Sequence, residues 1–278
     1  MVWNIAHRGG AALMPENTLV AFANARRRGC DGIELDVQLS RDGEVVVVHD
    51  FRLNPALCRN ADGRWIQGPA PLIKDLTLEE LQRFDVGRAD PSSRYAHAHP
   101  LVQWCDGERI PTLSDVIARV GGEGFWLFVE LKTTAVEPSV SGSAQALAEA
   151  TLAVLRRHHY LERSILVGFD WRGLVHALSR APDVQCWFTT APGAVNAATL
   201  EHIRRAGGTG WFTAYKDLTA AHLERARALG LKVGAWTVND AADLARLVRL
   251  DVLCTDRPDR LARQKVSDPT ANNTTAGR

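Results

Sequence analysis

Charged residues that could act together follow two early apolar segments of this chain. Residues 2–6 lead into His7 and Arg8, and the next apolar segment contains Glu34 and Asp36. Carboxylates two residues apart on a strand point to the same face. A histidine, an arginine and paired acids at strand ends are typical of a metal-assisted phosphate site.

A second pair of charged residues has the same spacing further along the chain. Glu130 and Lys132 are two residues apart, so they share one face of a predicted strand. Three acids close together raise one another's pKa unless a positive charge lies between them. Oxygen ligands favour Mg²⁺ or Ca²⁺ over Zn²⁺, so we expect Glu34, Asp36 and Glu130 to hold one such ion. The alternative is a salt-bridge network in which Arg8 and Lys132 neutralise the acids directly.

Short apolar segments alternate with amphipathic segments of helix length over most of the chain. Strands are predicted at residues 2–6, 32–39, 45–49, 125–131, 165–169, 184–188, 210–213, 233–238 and 252–255. Helices are predicted at residues 16–28, 143–158, 172–180, 196–206, 218–229 and 241–250. Repeated strand-then-helix units indicate a parallel sheet covered by helices.

Nine predicted strands exceed the eight of a closed α/β barrel, and a hairpin accounts for the difference. Asp42 and Gly43 lie between two apolar segments, where an Asp-Gly pair predicts a two-residue β-turn. Residues 45–49 must then run antiparallel to the preceding strand, which leaves eight parallel strands and predicts a (β/α)8 barrel. This turn also predicts that His49 lies directly opposite Asp36, within about 5.5 Å between Cα atoms.

Active sites of such barrels form at the carboxyl ends of the strands, where these polar residues fall. His7 and His49 could be metal ligands or an acid/base pair, and with three carboxylates available we assign them to acid/base catalysis. Arg8 and Lys132 supply the positive charge that binds a phosphate. Trp236 ends a strand and is predicted to line the mouth as an apolar wall for a substrate tail.

Two segments depart from the strand-helix alternation. Residues 50–111 are rich in Pro, Gly, Asp and Arg and contain one predicted short helix at 78–84. We interpret this segment as an insertion over the active face of a barrel domain that spans residues 1–264. The polar segment at 265–278 is predicted to be disordered.

Bulk properties exclude several classes of protein. A length of 278 residues fits one barrel, and a net charge of +1 gives no reason to expect nucleic acid as a partner. We expect no transmembrane helix, because apolar segments stay short, and a cytoplasmic location, because the N-terminus lacks a basic signal region. The oligomeric state is not predicted.

The motifs taken together resemble a known family over nearly the whole chain. They are His7-Arg8-Gly9, Pro15-Glu16-Asn17-Thr18, Glu34-Leu35-Asp36-Val37, His49-Asp50, Glu130-Leu131-Lys132, Trp236-Thr237-Val238-Asn239 and Thr255-Asp256-Arg257-Pro258. In this order and spacing they strongly resemble the glycerophosphodiester phosphodiesterase family, which is similar to the phosphatidylinositol-specific phospholipases C.

That resemblance implies a fold and a reaction. It implies a (β/α)8 barrel with an insert after the His-Asp motif, one divalent cation, and hydrolysis of glycerophosphodiesters to sn-glycerol 3-phosphate and an alcohol. Matched residue by residue, it implies metal binding by the three acids, acid/base catalysis by the two histidines and phosphate binding by Arg8 and Lys132. The phospholipase similarity implies a cyclic phosphate intermediate formed by the glycerol 2-hydroxyl.

Three other readings of these residues remain open. A lysophospholipase D would use the same residues on single-chain lipids, and an apolar groove formed by the insert would favour it. A second reading is a barrel that binds glycerophosphodiesters without turnover, which the complete catalytic set disfavours. A third is an unrelated barrel such as a sugar isomerase, but those usually bind phosphate at late βα loops.

Overall fold

Strands and helices alternate along the described part of the chain. The computed structural model describes residues 2–196 and 198–261, so the segment at 265–278 that we predict to be disordered lies outside the described residues. The strands are β1 Trp3–His7, β2 Gly32–Leu39, β3 Val45–Val47, β4 Trp126–Leu131, β5 Ser164–Gly168, β6 Gln185–Thr190, β7 Gly210–Ala214, β8 Lys232–Trp236 and β9 Val252–Thr255. The helices are α1 Leu19–Arg27, α2 Leu78–Leu81, α3 Arg94–Ala98, α4 Leu113–Val120, α5 Ala144–Arg157, α6 Trp171–Arg180, α7 Thr199–Arg205, α8 Ala220–Ala228 and α9 Ala241–Arg246.

All strands except β3 form a closed parallel barrel. The pairing runs β1-β9-β8-β7-β6-β5-β4-β2, and β2 pairs again with β1 to close the ring. β3 pairs antiparallel with β2 and lies outside the ring. The predicted (β/α)8 fold with a hairpin after its second strand is therefore confirmed.

Apolar side chains fill the barrel interior beneath a polar mouth. Ile5 and Phe128 belong to a buried cluster inside the barrel. Two residues further along the same strands, His7 and Glu130 line a pocket at the carboxyl end. Because side chains alternate along a strand, the residues that pack the interior and those that form the site share one face.

The hairpin between β2 and β3 differs from the predicted one by one residue. A two-residue loop at 42–43 would pair the strands in a register that faces His49 with Asp36. The structure instead pairs Val37 with Val47, so the predicted position of His49 directly opposite Asp36 in the ladder is wrong.

Side-chain hydrogen bonding in the turn explains this register. The backbone N–H of Ser40 donates to the carbonyl of Glu44 at 3.0 Å, which leaves the three residues 41–43 as the loop. Gly43 has a φ of 87°, and Ser40 Oγ accepts from the Glu44 N–H at 2.9 Å. A three-residue loop that ends in a left-handed glycine is the next most favoured hairpin connection.

His49 nevertheless reaches the barrel mouth by a different path. On one edge of β2, β1 pairs as far as Glu34. β3 pairs with the residues of β2 beyond that point, because the opposite edge of β2 is paired with β4. β3 therefore runs back towards the end of β1, and the Val48 N–H still donates to the Asp36 carbonyl at 2.9 Å. His49 follows directly and lines the same pocket as His7.

The segment between β3 and α4 has a small apolar core of its own. Leu53, Ile73, Leu81 and Ile110 are buried together against Val46 of β3. The helix predicted at 78–84 is the shorter α2, and α3 was not predicted from the sequence. That the insertion spans residues 50–111 stays a prediction.

Helix α4 was also not predicted, although its first residues carry a clear signal. The Thr112 hydroxyl accepts from the Asp115 N–H, and the Asp115 side chain accepts from the Thr112 N–H. This capping box precedes eight helical residues with a buried face.

Within the described ranges, every helix is too short or too polar to span a bilayer.

Candidate active site

One pocket at the carboxyl end of the barrel collects nearly all the predicted site residues. One half of its lining is charged and the other half is aromatic with hydroxyls. The lining residues are His7, Arg8, Glu34, His49, Glu130, Lys132, Phe169, Thr189, Phe212, Trp236 and Thr237. Asp36, the remaining predicted site residue, lies buried beside them.

Three carboxylates converge in the charged half. One oxygen from each of Glu34, Asp36 and Glu130 lies within 4.8 Å of the other two. Glu34 and Asp36 are 2% and 1% exposed, and the Asp36 Oδ1 atom is buried without a hydrogen bond. Its nearest cation is Lys132 Nζ at 3.6 Å. A buried carboxylate oxygen without a hydrogen bond, inside an all-oxygen donor set, fits a hard divalent cation.

Two basic side chains already contact these acids. Arg8 Nε lies 3.3 Å from Asp36 Oδ2, and Lys132 Nζ lies 2.9 Å from Glu130 Oε1. The salt-bridge network that was the alternative to a metal is therefore present in part. Burial and the charge of Asp36 still raise the pKa of Glu34 well above its ordinary value, so these two cations do not neutralise the whole cluster.

The charge of Asp36 is stabilised from several sides. Arg8 and then Lys132 hold its pKa well below the usual range, against the effect of burial. Asn17 Nδ2 donates to Asp36 Oδ2 at 2.8 Å. Asp36 therefore stays ionised while neighbouring Glu34 resists ionisation, as expected for two close, buried acids.

His7 is held by a carboxylate from the other end of the chain. Its Nδ1 lies 2.6 Å from Asp256 Oδ1, and its Nε2 lies 3.8 Å from Glu34 Oε2. Asn239 Nδ2 in turn donates to Asp256 Oδ2 at 2.7 Å. Burial alone would lower the pKa of His7, but the hydrogen bond to Asp256 raises it above the ordinary value. A proton on Nδ1 leaves Nε2 free for proton transfer.

His49 has a matching arrangement in the same pocket. Its Nδ1 lies 2.7 Å from Oδ1 of the adjacent Asp50. Asn54 Nδ2 donates to the other Asp50 oxygen at 2.7 Å. Gln38 Nε2 donates to the carbonyls of Val48 and Asp50, which fixes the backbone that carries the histidine. Each histidine is thus oriented by an aspartate that an asparagine holds.

The backbone after β1 has an uncommon conformation that presents Arg8 to the pocket. Arg8 has a φ of 49° and Gly9 a φ of 85°. A Cβ at Gly9 would lie 2.7 Å from Ala21 Cβ, so glycine is required for close packing against α1. The Arg8 N–H donates to Glu34 Oε2 at 3.2 Å, and its guanidinium contacts Glu16 Oε1 at 2.9 Å.

The aromatic half of the pocket contains Trp236, the predicted apolar wall. The Trp236 ring packs edge-on against Phe169 with 5.6 Å between centroids. Phe169 is 42% exposed at the mouth, whereas Phe212 is buried. Mostly apolar walls with a few polar groups are typical of pockets that bind small molecules.

Several residues of this site were given no individual role from the sequence, although all of them except Asn54 lie in its motifs. They are the positioning residues Glu16, Asp50, Asn54, Asn239 and Asp256. Asp256 carried a usable signal, because it directly follows β9 and a closed barrel places β9 beside β1. Asn54 carried none, because it lies in an irregular loop.

Fold and site together define a phosphodiesterase of the (β/α)8-barrel class. The model of the Glycerophosphoryl diester phosphodiesterase family matches residues 7–260. The chain belongs to this family, which confirms the resemblance seen in its motifs.

Individual relatives match over nearly the full chain. A glycerophosphodiester phosphodiesterase of Caldanaerobacter subterraneus subsp. tengcongensis is 30% identical over 259 residues, 92% of this chain and 95% of the relative. A solved Silicibacter pomeroyi structure assigned to the same activity has a TM-score of 0.87 and 30% identity, covering 94% of this chain and 91% of that one. An Oleispira antarctica phosphodiesterase solved with the product sn-glycerol-3-phosphate has a TM-score of 0.74 and 27% identity, with 92% and 94% covered.

Proposed function

We propose that the protein hydrolyses glycerophosphodiesters to sn-glycerol 3-phosphate and an alcohol, with one divalent cation and a pair of histidines. The observation that carries this proposal is the arrangement of the two histidines around the acid cluster. His7 and His49 line one pocket with Glu34 and Glu130, and each has an aspartate on Nδ1. The product bound to the Oleispira relative supports the choice of substrate.

The metal ion and the phosphate have separate sets of ligands in this proposal. Glu34, Asp36 and Glu130 would hold Mg²⁺ or Ca²⁺, which polarises a phosphoryl oxygen when bound. Arg8 and Lys132 line the same pocket and stabilise the charge that grows on the phosphate oxygens in the transition state.

Proton transfer falls to the two histidines. One Nε2 accepts the proton of the attacking hydroxyl, and the other histidine, in its protonated form, gives a proton to the departing alcohol oxygen. When the attacking group is the glycerol 2-hydroxyl, the product of this step is a cyclic phosphate. Water then opens that ring with the two proton transfers reversed.

The remaining functional assignments rest on the same site. The partner is a small-molecule glycerophosphodiester. Trp236 and Phe169 would contact the part of the substrate that extends beyond the charged half of the pocket. A cytoplasmic location stays a prediction that cell fractionation would test.

A second candidate, lysophospholipase D activity, is favoured by one specific observation. A mainly apolar pocket lies next to His49, between the barrel and the 50–111 segment. Its apolar lining includes Val47, Val48, Leu57, Cys58, Val86, Trp104 and Ile110. A pocket of this composition next to His49 suits the acyl chain of a lysophospholipid, which stays on the glycerol when choline is released.

A comparison of two substrates with the same head group separates these candidates. Choline release from glycerophosphocholine and lysophosphatidylcholine is measured under identical metal conditions. We expect a higher kcat/KM for glycerophosphocholine, together with one glycerol 3-phosphate per choline. A preference for the lysophospholipid, abolished when Leu57→Asp places a charge in the apolar pocket, would assign the second activity instead.

A further inference from the structure

A hydrogen-bonded chain connects the 50–111 segment to the phosphate side of the site. The Tyr95 hydroxyl in α3 donates to Glu16 Oε2 at 2.5 Å. The other Glu16 oxygen accepts from Arg8 Nη1 at 2.9 Å. Arg8 Nε lies 3.3 Å from Asp36, so the chain ends at the acid cluster.

This chain fixes the orientation of the arginine. Glu16 and Arg8 are 10% and 18% exposed, so little solvent competes for their contacts. Because each Glu16 oxygen has a separate donor, the carboxylate cannot rotate without losing a charge-assisted hydrogen bond. The guanidinium bound to it is held in the same way, and a preorganised arginine loses less entropy when it binds an anion.

The tyrosine is itself held within the 50–111 segment. Its ring stacks on His99 with 4.2 Å between centroids, and His99 Nδ1 lies 2.9 Å from the Tyr95 carbonyl. Burial and the charge of Glu16 raise the pKa of Tyr95, so the phenol stays a neutral donor.

From this geometry we infer that Tyr95 is a positioning residue for phosphate recognition and acts through Glu16 on Arg8. The 50–111 segment then contributes to binding of the phosphate group that all substrates share, in addition to any contact with the alcohol. This inference rests on the proposed role of Arg8 as a phosphate ligand. The competing explanation is that the Tyr95–Glu16 hydrogen bond only attaches the segment to the barrel.

The test uses Tyr95→Phe, which removes the hydroxyl and keeps the stacked ring. Binding of sn-glycerol 3-phosphate and of inorganic phosphate is measured by calorimetry, beside KM and kcat for glycerophosphocholine. We expect Kd for both ligands to rise about 10-fold and kcat/KM to fall by at least the same factor, because a hydrogen bond to a charged group is lost. The matched control is Tyr160→Phe, which removes a buried hydroxyl that donates to the Phe125 carbonyl.

A double-mutant cycle separates positioning from attachment. In an Arg8→Lys background the guanidinium that Glu16 orients is absent, so Tyr95→Phe should have little further effect on Kd. The same loss of affinity in both backgrounds, or a lower Tm with unchanged Kd, would overturn the inference. Calorimetry measures binding without turnover. If the wild type binds these ligands but hydrolyses no substrate, the proposed function fails, and the binding data still test the role of Tyr95. A wild type that binds neither ligand contradicts both.

Discussion

Nδ1 of His7 lies 2.6 Å from Oδ1 of Asp256, so the carboxyl ends of the first and last strands of the barrel are joined at the candidate site. The two residues are 249 positions apart in the chain. Barrel closure between β1 and β9 brings them together. The orientation of the imidazole therefore depends on the ring being closed.

Replacing Asp256 by Asn tests whether this contact matters for proton transfer. We expect kcat to fall at least about 10-fold, because His7 loses the carboxylate that orients it and selects its tautomer. Since the hydrogen bond to Asp256 raises the pKa of His7, the corresponding ionisation in the pH–rate profile should move to lower pH. Asp243→Asn, which removes a surface ion pair with Arg246 on α9, is the control. An unshifted profile with normal kcat would show that Asp256 does not position His7 for proton transfer.

Alanine replacements of His7 and His49 test the acid/base pair. Each should lower kcat by about 10²- to 10⁴-fold, because a positioned proton donor or acceptor is lost. Circular dichroism and Tm should stay near wild type. His202→Ala on an exposed face of α7 is the matched control. Near-wild-type turnover in either variant would exclude that histidine from catalysis.

Gly9 is expected to be intolerant of a side chain. Gly9→Ala combines a left-handed backbone with a Cβ 2.7 Å from Ala21, so the free energy of unfolding should fall by about 2–4 kcal/mol. Gly29→Ala is the control, because Gly29 also has a positive φ but nothing lies within 4 Å of its Cβ position. Urea denaturation of both variants measures the difference. Equal losses would show that packing against α1 contributes nothing.

Asp170 gives the fold a pH dependence that can be measured away from the acid cluster. Its hydrogen bond from Arg172 lowers the pKa of this carboxyl, and Thr133 Oγ1 donates to it at 3.0 Å. A folded-state pKa below the unfolded value of about 3.9 stabilises the protein above that pH, and the contribution is lost as pH falls further. The difference in free energy of unfolding between wild type and Asp170→Asn should therefore become smaller below about pH 4 in urea titrations. A gap that is constant from pH 7 to pH 3 contradicts this linkage.

The barrel could be predicted because its signals are local and repeated. Apolar segments of strand length alternate with amphipathic helices, and residues two apart on a strand share a face, which placed Glu34 beside Asp36. The first residue of a helix was harder to predict than the helix itself. α1 begins at Leu19 and not at residue 16, because Asn17 has a φ of 55° and Thr18 is the N-cap.

The hairpin register depended on a detail that the turn residues do not specify. The Asp-Gly pair predicted a two-residue loop, but the Ser40 side chain stabilises a three-residue one. His49 still lines the pocket with His7, because β3 ends at Val47 and the following residues leave the ladder. The path of β3 along the free edge of β2 decides this position, and that path depends on tertiary pairing.

The proposed reaction is a metal-dependent release of sn-glycerol 3-phosphate. The most direct test incubates the purified protein with glycerophosphocholine and follows glycerol 3-phosphate enzymatically, first with EDTA and then with Mg²⁺ or Ca²⁺ restored. A Glu34→Gln/Glu130→Gln variant serves as control, since it removes two of the three carboxylates. We expect turnover that EDTA abolishes, that one of the two ions restores, and that the variant lacks at equal metal concentration. Undiminished release in EDTA, or no release from any glycerophosphodiester with either ion, would contradict it.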